Sequence, residues 1–165
     1  MTTSAAYWKR ERLIPLSWDD FDAAIEAAAS TIADFAPDLI LGIARGGLVP
    51  AVALAHFFHD AEFRVCSVAR TKSDDAYAAK EAPTLRWPTT PQDIRGRRVL
   101  VVDDVVGTGA SLKLVRSRVA ALAPADVLTY AIAVNTAVSP RPDIYSQLID
   151  DWIVFPWERT PGASA

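Results

Sequence analysis

The stretch Val99–Leu112, VLVVDDVVGTGASL, decides the fold class and points to the chemistry of this chain. Four aliphatic residues predict a buried strand, and two adjacent carboxylates, Asp103 and Asp104, follow at its end. A loop of small residues, Gly107–Ser111, then leads into a predicted helix. A strand that ends in such a turn before a helix presents unpaired backbone N–H groups, which bind anions. The stretch therefore predicts an anion site beside two negative charges.

The acidic pair and the loop together favour a phosphorylated sugar as the ligand. Thr108 and Ser111 add hydroxyl donors to the loop, which suits a phosphate monoester. Carboxylates accept hydrogen bonds from sugar hydroxyls and bind Mg²⁺, whereas they would repel a pyrophosphate lying against them. The loop lacks the Gly-Lys-Ser/Thr of a P-loop, and Leu112 stands where a dinucleotide fingerprint has its third glycine. We therefore predict a site for ribose 5-phosphate.

Strands and helices alternate on both sides of this stretch. The predicted strands are continuous apolar runs, which is typical of a parallel sheet covered on both faces. The expected fold class is therefore α/β, a doubly wound, mainly parallel sheet with helices on both faces. The predicted strands are residues 39–44, 62–69, 99–104 and 126–134, with a short strand in 152–158, and the predicted helices are residues 17–35, 48–58 and 109–123.

A second strand is predicted to end at the same edge of the sheet. The run Leu39–Ala44 is followed directly by Arg45, Gly46 and Gly47. In parallel α/β sheets, ligands bind at the carboxyl ends of the strands, near the point where the strand order reverses. We therefore expect this basic, glycine-containing turn to lie on the same edge as Asp103.

Composition and charge describe an ordinary globular domain. The 165 residues are 51% hydrophobic and carry a net charge of −3, with a pI of about 5.3, which argues against nucleic acid as a general partner. No apolar run is long enough to span a bilayer, so no membrane contact is expected. The start lacks the apolar core of a signal peptide, and the expected compartment is the cytoplasm. The single cysteine, Cys66, excludes an internal disulfide and is expected in the core.

Three stretches resemble one known family. VLVVDDVVGTGASL is similar to the phosphoribosyl diphosphate (PRPP) signature of type I phosphoribosyltransferases, and LGIARGGLVPA, residues 41–51, resembles their pyrophosphate-binding loop. PDIYSQLIDDWIVFPWE, residues 142–158, resembles the C-terminal hood of xanthine-guanine and archaeal hypoxanthine-type members. The resemblance implies one domain over residues 1–165, with a core at about 17–135. The hood would cover about 136–160, with a possible contribution from the N-terminus.

The resemblance also implies a reaction. A member of this family transfers ribose 5-phosphate from PRPP to a ring nitrogen of a nucleobase and releases pyrophosphate, with Mg²⁺ as cofactor. The expected partners are PRPP, a nucleobase (most of all a purine such as hypoxanthine, guanine or xanthine) and the nucleoside monophosphate product. A homodimer or homotetramer is expected. Two alternatives remain open: transfer to an acceptor other than a 6-oxopurine, and a PRPP-sensing regulator without turnover.

Site residues are carried over by position in the matching motifs. Asp103 and Asp104 would bind the ribose hydroxyls directly or through Mg²⁺, and Glu158 would approach a second metal ion. A cis peptide bond is expected between Ala44 and Arg45. The remaining expected roles are 5′-phosphate binding by Gly107, Thr108, Gly109, Ala110 and Ser111, pyrophosphate binding by Ala44, Arg45 and Gly46, base binding by Trp152, Ile153 and Asn135, and charge from a long loop by Arg70, Lys72 or Lys80.

Two positions depart from the pattern of 6-oxopurine members. Those enzymes usually have an aspartate near the purine N7 where this chain has Gly107. They also carry a lysine after the next strand, where this chain reads Ala133-Val134-Asn135. Both usual base-reading charges are thus missing, so the sequence predicts the reaction type more firmly than the base.

Other interpretations of single features are weaker. A receiver domain also contains VLVVDD, but it needs an acceptor aspartate and a lysine at later strand ends, and residues 127–136 offer neither. His56 and His59, three residues apart, are expected to belong to the surface or packing of a helix rather than to bind a metal ion. Trp157 is expected to be a core or interface aromatic. The segment from Arg70 to Pro91 is polar and aperiodic, which favours a functional loop.

Overall fold

The structure, a computed structural model, describes residues 8–9, 11–69, 83–86 and 92–158. Helices and strands alternate over most of this length. In chain order the elements are β1 Leu13–Pro15, α1 Trp18–Ile32, β2 Leu39–Ala44, α2 Leu48–Ala55, β3 Glu62–Ala69, β4 Thr84–Arg86, β5 Arg98–Val106, α3 Ala110–Ala120, β6 Asp126–Asn135, β7 Ile144–Ile149 and β8 Trp152–Val154.

Six of the strands form one central sheet in the order β4-β3-β2-β5-β6-β7. All neighbours in it are parallel except β4, which runs antiparallel to β3. β1 and β8 form a separate two-stranded parallel sheet. The predicted fold class, a doubly wound and mainly parallel α/β sheet, is confirmed.

Each face of the central sheet carries its own apolar core. Helices α1 and α2 cover one face through residues such as Ile25, Ile32 and Leu54, and α3 covers the other through Val115 and Val119. Alternate residues along each strand point to opposite faces, so a strand buried on both sides must be apolar throughout. The side chains of the first face include Ile40, Leu100, Val102, Tyr130 and Ile132, and those of the second include Leu39, Leu41, Val99, Val101 and Ala131.

Helix α1 begins as the sequence predicts and ends earlier. The Ser17 hydroxyl accepts a hydrogen bond from Asp20 N at 3.1 Å, and the Asp20 carboxylate accepts one from Ser17 N at 3.0 Å, which is a capping box. The α-helix stops at Ile32, and a 3₁₀ turn continues to Phe35. Ala36 follows with φ 45°, a left-handed conformation that ends the helical run.

The predicted ends of the other helices are also too late, and three strands are not predicted. Helix α2 ends at Ala55 rather than Phe58 because the His56 N–H turns to Ala53 O, three residues back. Strand β4, Thr84–Arg86, lies within the segment predicted as a loop. β7 extends the central sheet beyond residue 135, and β1 pairs with β8. Cys66 is fully buried in β3, as predicted.

Candidate active site

The strand order reverses between β2 and β5. From β2 the chain passes through α2 to β3 on one side, and from β5 it passes through α3 to β6 on the other. The two connecting helices cover opposite faces of the sheet, so a crevice opens between the carboxyl ends of β2 and β5. β2 and β5 pair only as far as Gly42 and Val102, and β5 continues beside β6 to Val106. The acidic pair lies where the two strands separate.

The turn after β2 lies directly on the acidic pair. A Cβ atom on Gly46 would overlap the carboxylate of Asp104, so any larger residue would have to displace it. A Cβ atom on Gly47 would lie 2.8 Å from Val102 O and 2.9 Å from the Cα atom of Asp103. The Ala44–Arg45 peptide bond is cis, as predicted. The structure therefore brings the two predicted motifs into contact.

The two carboxylates differ in exposure. Asp103 is 8% exposed, and its Oδ1 accepts a hydrogen bond from Asp104 N at 3.0 Å. Asp104 is half-buried, and its Oδ1 accepts one from Val105 N at 2.7 Å. Burial, with a smaller contribution from the negative charge of Asp103, raises the pKa of the Cys66 thiol to about 12. Cys66 is therefore a protonated core residue that lies electrostatically close to the acidic pair.

The predicted phosphate loop connects β5 to α3. Gly107 is buried, and residues 108–111 are half-buried. Gly109 is the N-cap of α3 with φ 77°, a conformation that favours glycine, and Ala110 N donates to Thr108 Oγ1 at 3.4 Å. The N-cap residue Gly109 has no side chain, so the helix lacks a side-chain hydrogen bond from its N-cap. The positive end of the helix dipole also lies here, which suits an anion.

The predicted base-binding residues lie on two different elements. Trp152 and Ile153 begin β8, where Trp152 is half-buried and Ile153 is 4% exposed. Asn135 is fully buried at the end of β6, and its Oδ1 accepts a hydrogen bond from Ala137 N at 2.9 Å. That oxygen therefore holds the turn after β6. The turn also reaches the phosphate loop, because a Cβ atom on Gly109 would lie 3.4 Å from the Val138 side chain.

Glu158 lies electrostatically close to Asp104. Desolvation and, more weakly, the charge of Asp104 raise the pKa of Glu158, although a hydrogen bond from Phe155 N to its Oε2 at 3.1 Å opposes the shift. The stacked rings of Phe155 and Trp157, 4.6 Å apart, brace this turn, and Trp157 also packs on Phe21. Burial is thus the main cause of the shift, and the weaker contribution from Asp104 shows that the two carboxylates repel each other across this part of the site.

Some predicted residues are not tested by this geometry. Arg70, Lys72 and Lys80 lie outside the described residues. Across the described ranges, no three His, Cys, Asp or Glu side chains cluster as ligands for one metal ion, so neither His56 nor His59 belongs to such a cluster. None of the helices in the described part of the chain is both long and apolar enough to cross a membrane.

Sequence reasoning missed one residue of the crevice. Gly47 also has no room for a Cβ atom, and the doubled glycine was a signal that could have identified it. The resemblance left open a contribution of the N-terminus to the hood, and in the structure the segment before α1 pairs with β8, the strand of Trp152.

Known proteins share this arrangement. The phosphoribosyl transferase domain family matches residues 17–160. The chain is 29% identical over 157 residues to a xanthine-guanine phosphoribosyltransferase of Cereibacter sphaeroides, covering 90% of this chain and 88% of the relative. It is 35% identical to the crystal structure of a purine phosphoribosyltransferase from Pyrococcus horikoshii, with a TM-score of 0.80 and coverage of 93% and 99% of the two chains.

A more distant structure supports the fold alone. The xanthine-guanine-hypoxanthine phosphoribosyltransferase of Helicobacter pylori superposes with a TM-score of 0.74 at 19% identity, over 89% of this chain and 94% of that one. The match of the family over residues 17–160 agrees with the convergence of the two loops at the switch point. This chain belongs to the phosphoribosyltransferase family.

Proposed function

We propose that this chain is a Mg²⁺-dependent enzyme that transfers ribose 5-phosphate from PRPP to a purine base and releases pyrophosphate. The observation that carries the proposal is the contact between Gly46 and Asp104, which joins a predicted pyrophosphate loop to a predicted ribose site. The phosphate loop at the start of α3 lies at the same strand end. These three parts match the three charged or polar parts of PRPP.

Each part of the crevice has a role that follows from its chemistry. The first turn of α3, whose N-cap is a glycine, binds the 5′-phosphate together with the hydroxyls of Thr108 and Ser111. Asp103 and Asp104 accept hydrogen bonds from the ribose hydroxyls. Arg45, with the backbone of Ala44 and Gly46, binds the pyrophosphate. Catalysis then rests on holding the anomeric carbon between the base and a stabilised leaving group.

The carboxylates present fit a Mg²⁺ ion. Asp103, Asp104 and Glu158 supply only oxygen ligands. Burial accounts for most of the raised pKa of Glu158, and the smaller contribution from the charge of Asp104 is a repulsion that a cation would relieve. Mg²⁺ usually takes one or two carboxylates and completes its shell with substrate oxygens and water, so a cluster of three protein ligands is not needed. When bound, the ion neutralises charge on the pyrophosphate.

Trp152 is proposed to stack on the base, and Ile153 to offer backbone polar groups to its edge. A purine is favoured because the similar enzymes from Cereibacter sphaeroides and Pyrococcus horikoshii are named for purines. Asn135 belongs to this proposed site through the turn that it holds beside the phosphate loop. A cytoplasmic location and a homodimer or homotetramer are part of the same proposal.

The direct test is a panel of nucleobases incubated with PRPP and Mg²⁺, with pyrophosphate release and nucleotide product as readouts. We expect hypoxanthine, guanine or xanthine to give product. The double variant Asp103→Asn, Asp104→Asn should abolish turnover while keeping the wild-type circular dichroism spectrum. Binding of PRPP without turnover of any base would instead indicate a PRPP-sensing regulator, and turnover of only a non-purine acceptor would contradict the purine assignment.

Gly107 gives a second test of base identity. The position is buried, and burial raises the pKa of a carboxyl towards the range in which it can exchange a proton with the purine N7. We therefore expect Gly107→Asp to increase kcat with hypoxanthine or guanine, up to the roughly 10²–10⁴-fold that a positioned acid or base contributes. Gly107→Asn, which matches the size without the proton, is the control and should not increase it. Equal rates for both variants would contradict a purine N7 at this position.

A further inference from the structure

A segment ahead of α1 is bound along the strand that carries Trp152. We call residues 8–9 and 11–16 the N-terminal strap. Its backbone reaches the hood at both ends, because Lys9 N donates to Asp150 O at 2.8 Å and Leu16 N donates to Val154 O at 2.9 Å. Between them, β1 pairs in parallel with β8, with Leu13 opposite Trp152. The strap therefore fixes the backbone on which Trp152 stands.

Charges hold the strap at the residue before Trp152. Asp151 is fully buried, and its Oδ1 accepts a hydrogen bond from Glu11 N at 2.9 Å. Arg12 Nε lies 3.5 Å from Asp151 Oδ2, and an ion pair joins Lys9 to Asp150. Desolvation opposes ionisation of Asp151, but the hydrogen bonds from the strap lower its pKa nonetheless. A buried carboxylate that loses such partners is strongly destabilised, so the strap and the hood hold together as a unit.

Trp8 carries the contact from the strap to the Trp152 ring itself. The two ring centroids are 6.2 Å apart with the planes inclined at 57°, within the range of favourable aromatic pairs. Trp8 is only 9% exposed, whereas Trp152 keeps part of its surface open. The Nε1 atom of Trp8 is buried without a hydrogen-bond partner in the described part of the chain, so packing rather than hydrogen bonding holds this ring.

We propose that Trp8 is a positioning residue for the base: it fixes the ring of Trp152 at the angle needed to stack on the acceptor. The inference rests on the proposed function and goes beyond it, because it assigns selectivity for the base to a segment that precedes the first helix. Binding of PRPP by the loops after β2 and β5 should not depend on Trp8. Binding of the acceptor base should depend on it.

The test compares Trp8→Ala and Trp8→Phe with the wild type. We expect Trp8→Ala to raise KM for the purine base about 3- to 10-fold, the range expected for losing one aromatic pair, while KM for PRPP changes less than about twofold. Trp8→Phe should restore most of the loss, because the contact needs a packed ring and not the indole N–H. KM values that stay equal for the base in all three proteins would overturn the proposal.

Trp18 offers a matched control. Its ring lies 6.1 Å from that of Trp157 at 51°, nearly the geometry of the Trp8–Trp152 pair, but Trp18 is 53% exposed on α1. Trp18→Phe should leave both KM values unchanged. Two indole rings this close give a coupled signal in far-ultraviolet circular dichroism. Trp8→Phe should remove the signal of the Trp8–Trp152 pair, and Trp18→Phe should remove that of the Trp18–Trp157 pair. Guanosine monophosphate should change only the signal of the Trp8–Trp152 pair.

These readouts separate the inference from the proposed function. If the wild type turns over no base, the proposed function fails, and calorimetric binding of guanosine monophosphate to the wild type and Trp8→Ala then decides the inference. Weaker binding to Trp8→Ala with unchanged binding of ribose 5-phosphate supports it. Equal binding to both proteins, or a loss of affinity for both ligands in proportion to lowered thermal stability, would overturn it and leave Trp8 a purely structural residue.

Discussion

Gly46 is the residue at which the two sides of the crevice touch. Because a Cβ atom there would overlap the Asp104 carboxylate, Gly46→Ala must move either the turn after β2 or the carboxylate. Small displacements of positioning groups reduce rates strongly, so we expect kcat/KM for PRPP to fall about 10²-fold. Steady-state kinetics with varied PRPP would measure this loss.

Gly96→Ala is the control for that substitution. Gly96 has φ 72°, and no atom lies within 4 Å of where its Cβ would be, so the substitution strains the backbone without crowding the crevice. It should lower the free energy of unfolding by about 1–2 kcal/mol and leave kcat/KM unchanged. A Gly46→Ala enzyme with wild-type kinetics would show that the contact with Asp104 is not needed for PRPP use.

At the residue level, the sequence predicted the groups that have a local pattern. Asp103, Asp104 and Gly107–Ser111 were identified because an acidic pair and a small-residue loop follow one apolar run. Trp8 could not be identified in this way, because its proposed role depends on a contact with a ring 144 positions later along the printed sequence. Only the three-dimensional structure joins two such tryptophans.

Among the elements, Asp38, just before β2, joins several strands at the end of the sheet opposite the crevice. Its carboxylate accepts hydrogen bonds from the Arg98 side chain at 2.8 and 3.1 Å and from Arg98 N at 2.8 Å. Its backbone carbonyl also accepts from Glu62 N at 3.0 Å. Asp38 thus joins the amino ends of β2, β3 and β5, the strands whose other ends form the crevice.

This arrangement predicts a pH-dependent contribution to stability. The Arg98 side chain, and then its N–H, hold the pKa of Asp38 well below its ordinary value. A lowered folded-state pKa stabilises the fold above the unfolded pKa of about 4, and the stabilisation is lost as pH falls through the folded value. Asp38→Asn should therefore unfold at lower urea concentration than wild type at pH 7, with a smaller difference at pH 3.

Asp60 provides the comparison. It is exposed and makes no hydrogen bond or ion pair with the rest of the described structure, so Asp60→Asn should behave like wild type at both pH values. If the difference between Asp38→Asn and wild type were the same at pH 7 and pH 3, the ion pair with Arg98 would not be the source of the stabilisation.

Strands were predictable where burial on both faces left a continuous apolar run. Strands β2, β3, β5 and β6 are interior strands of the sheet, and their apolar runs were recognised. β7 is an edge strand with polar Ser146 and Gln147, and β1 is three residues long and ends in a proline, so neither has such a run. Their existence depends on partners elsewhere in the chain rather than on their own composition.

For the whole molecule, the sequence predicted the layers but not the order of the strands. Alternating apolar strands and helices imply a parallel sheet covered on both faces, whichever strands are neighbours. The position of the crevice depends on β2 lying beside β5, which no local pattern specifies. The rule that ligands bind at the carboxyl ends of parallel strands predicted one edge for both motifs, and the family resemblance assigned them to one ligand. The register from Leu39–Val99 to Gly42–Val102 brings them together.

The pairing of the N-terminal strap with β8 has a consequence for the order of events during synthesis. The strap leaves the ribosome before α1 and the strands of the central sheet, but Glu11 and its partner Asp151 are 140 positions apart. Translation adds about 5–20 residues per second, so the strap is synthesised on the order of ten seconds before its partner. Strands β2 and β5, which flank the crevice, are synthesised within that interval. The nascent chain should therefore assemble the site proposed for ribose 5-phosphate before the strap can hold Trp152 in the site proposed for the base.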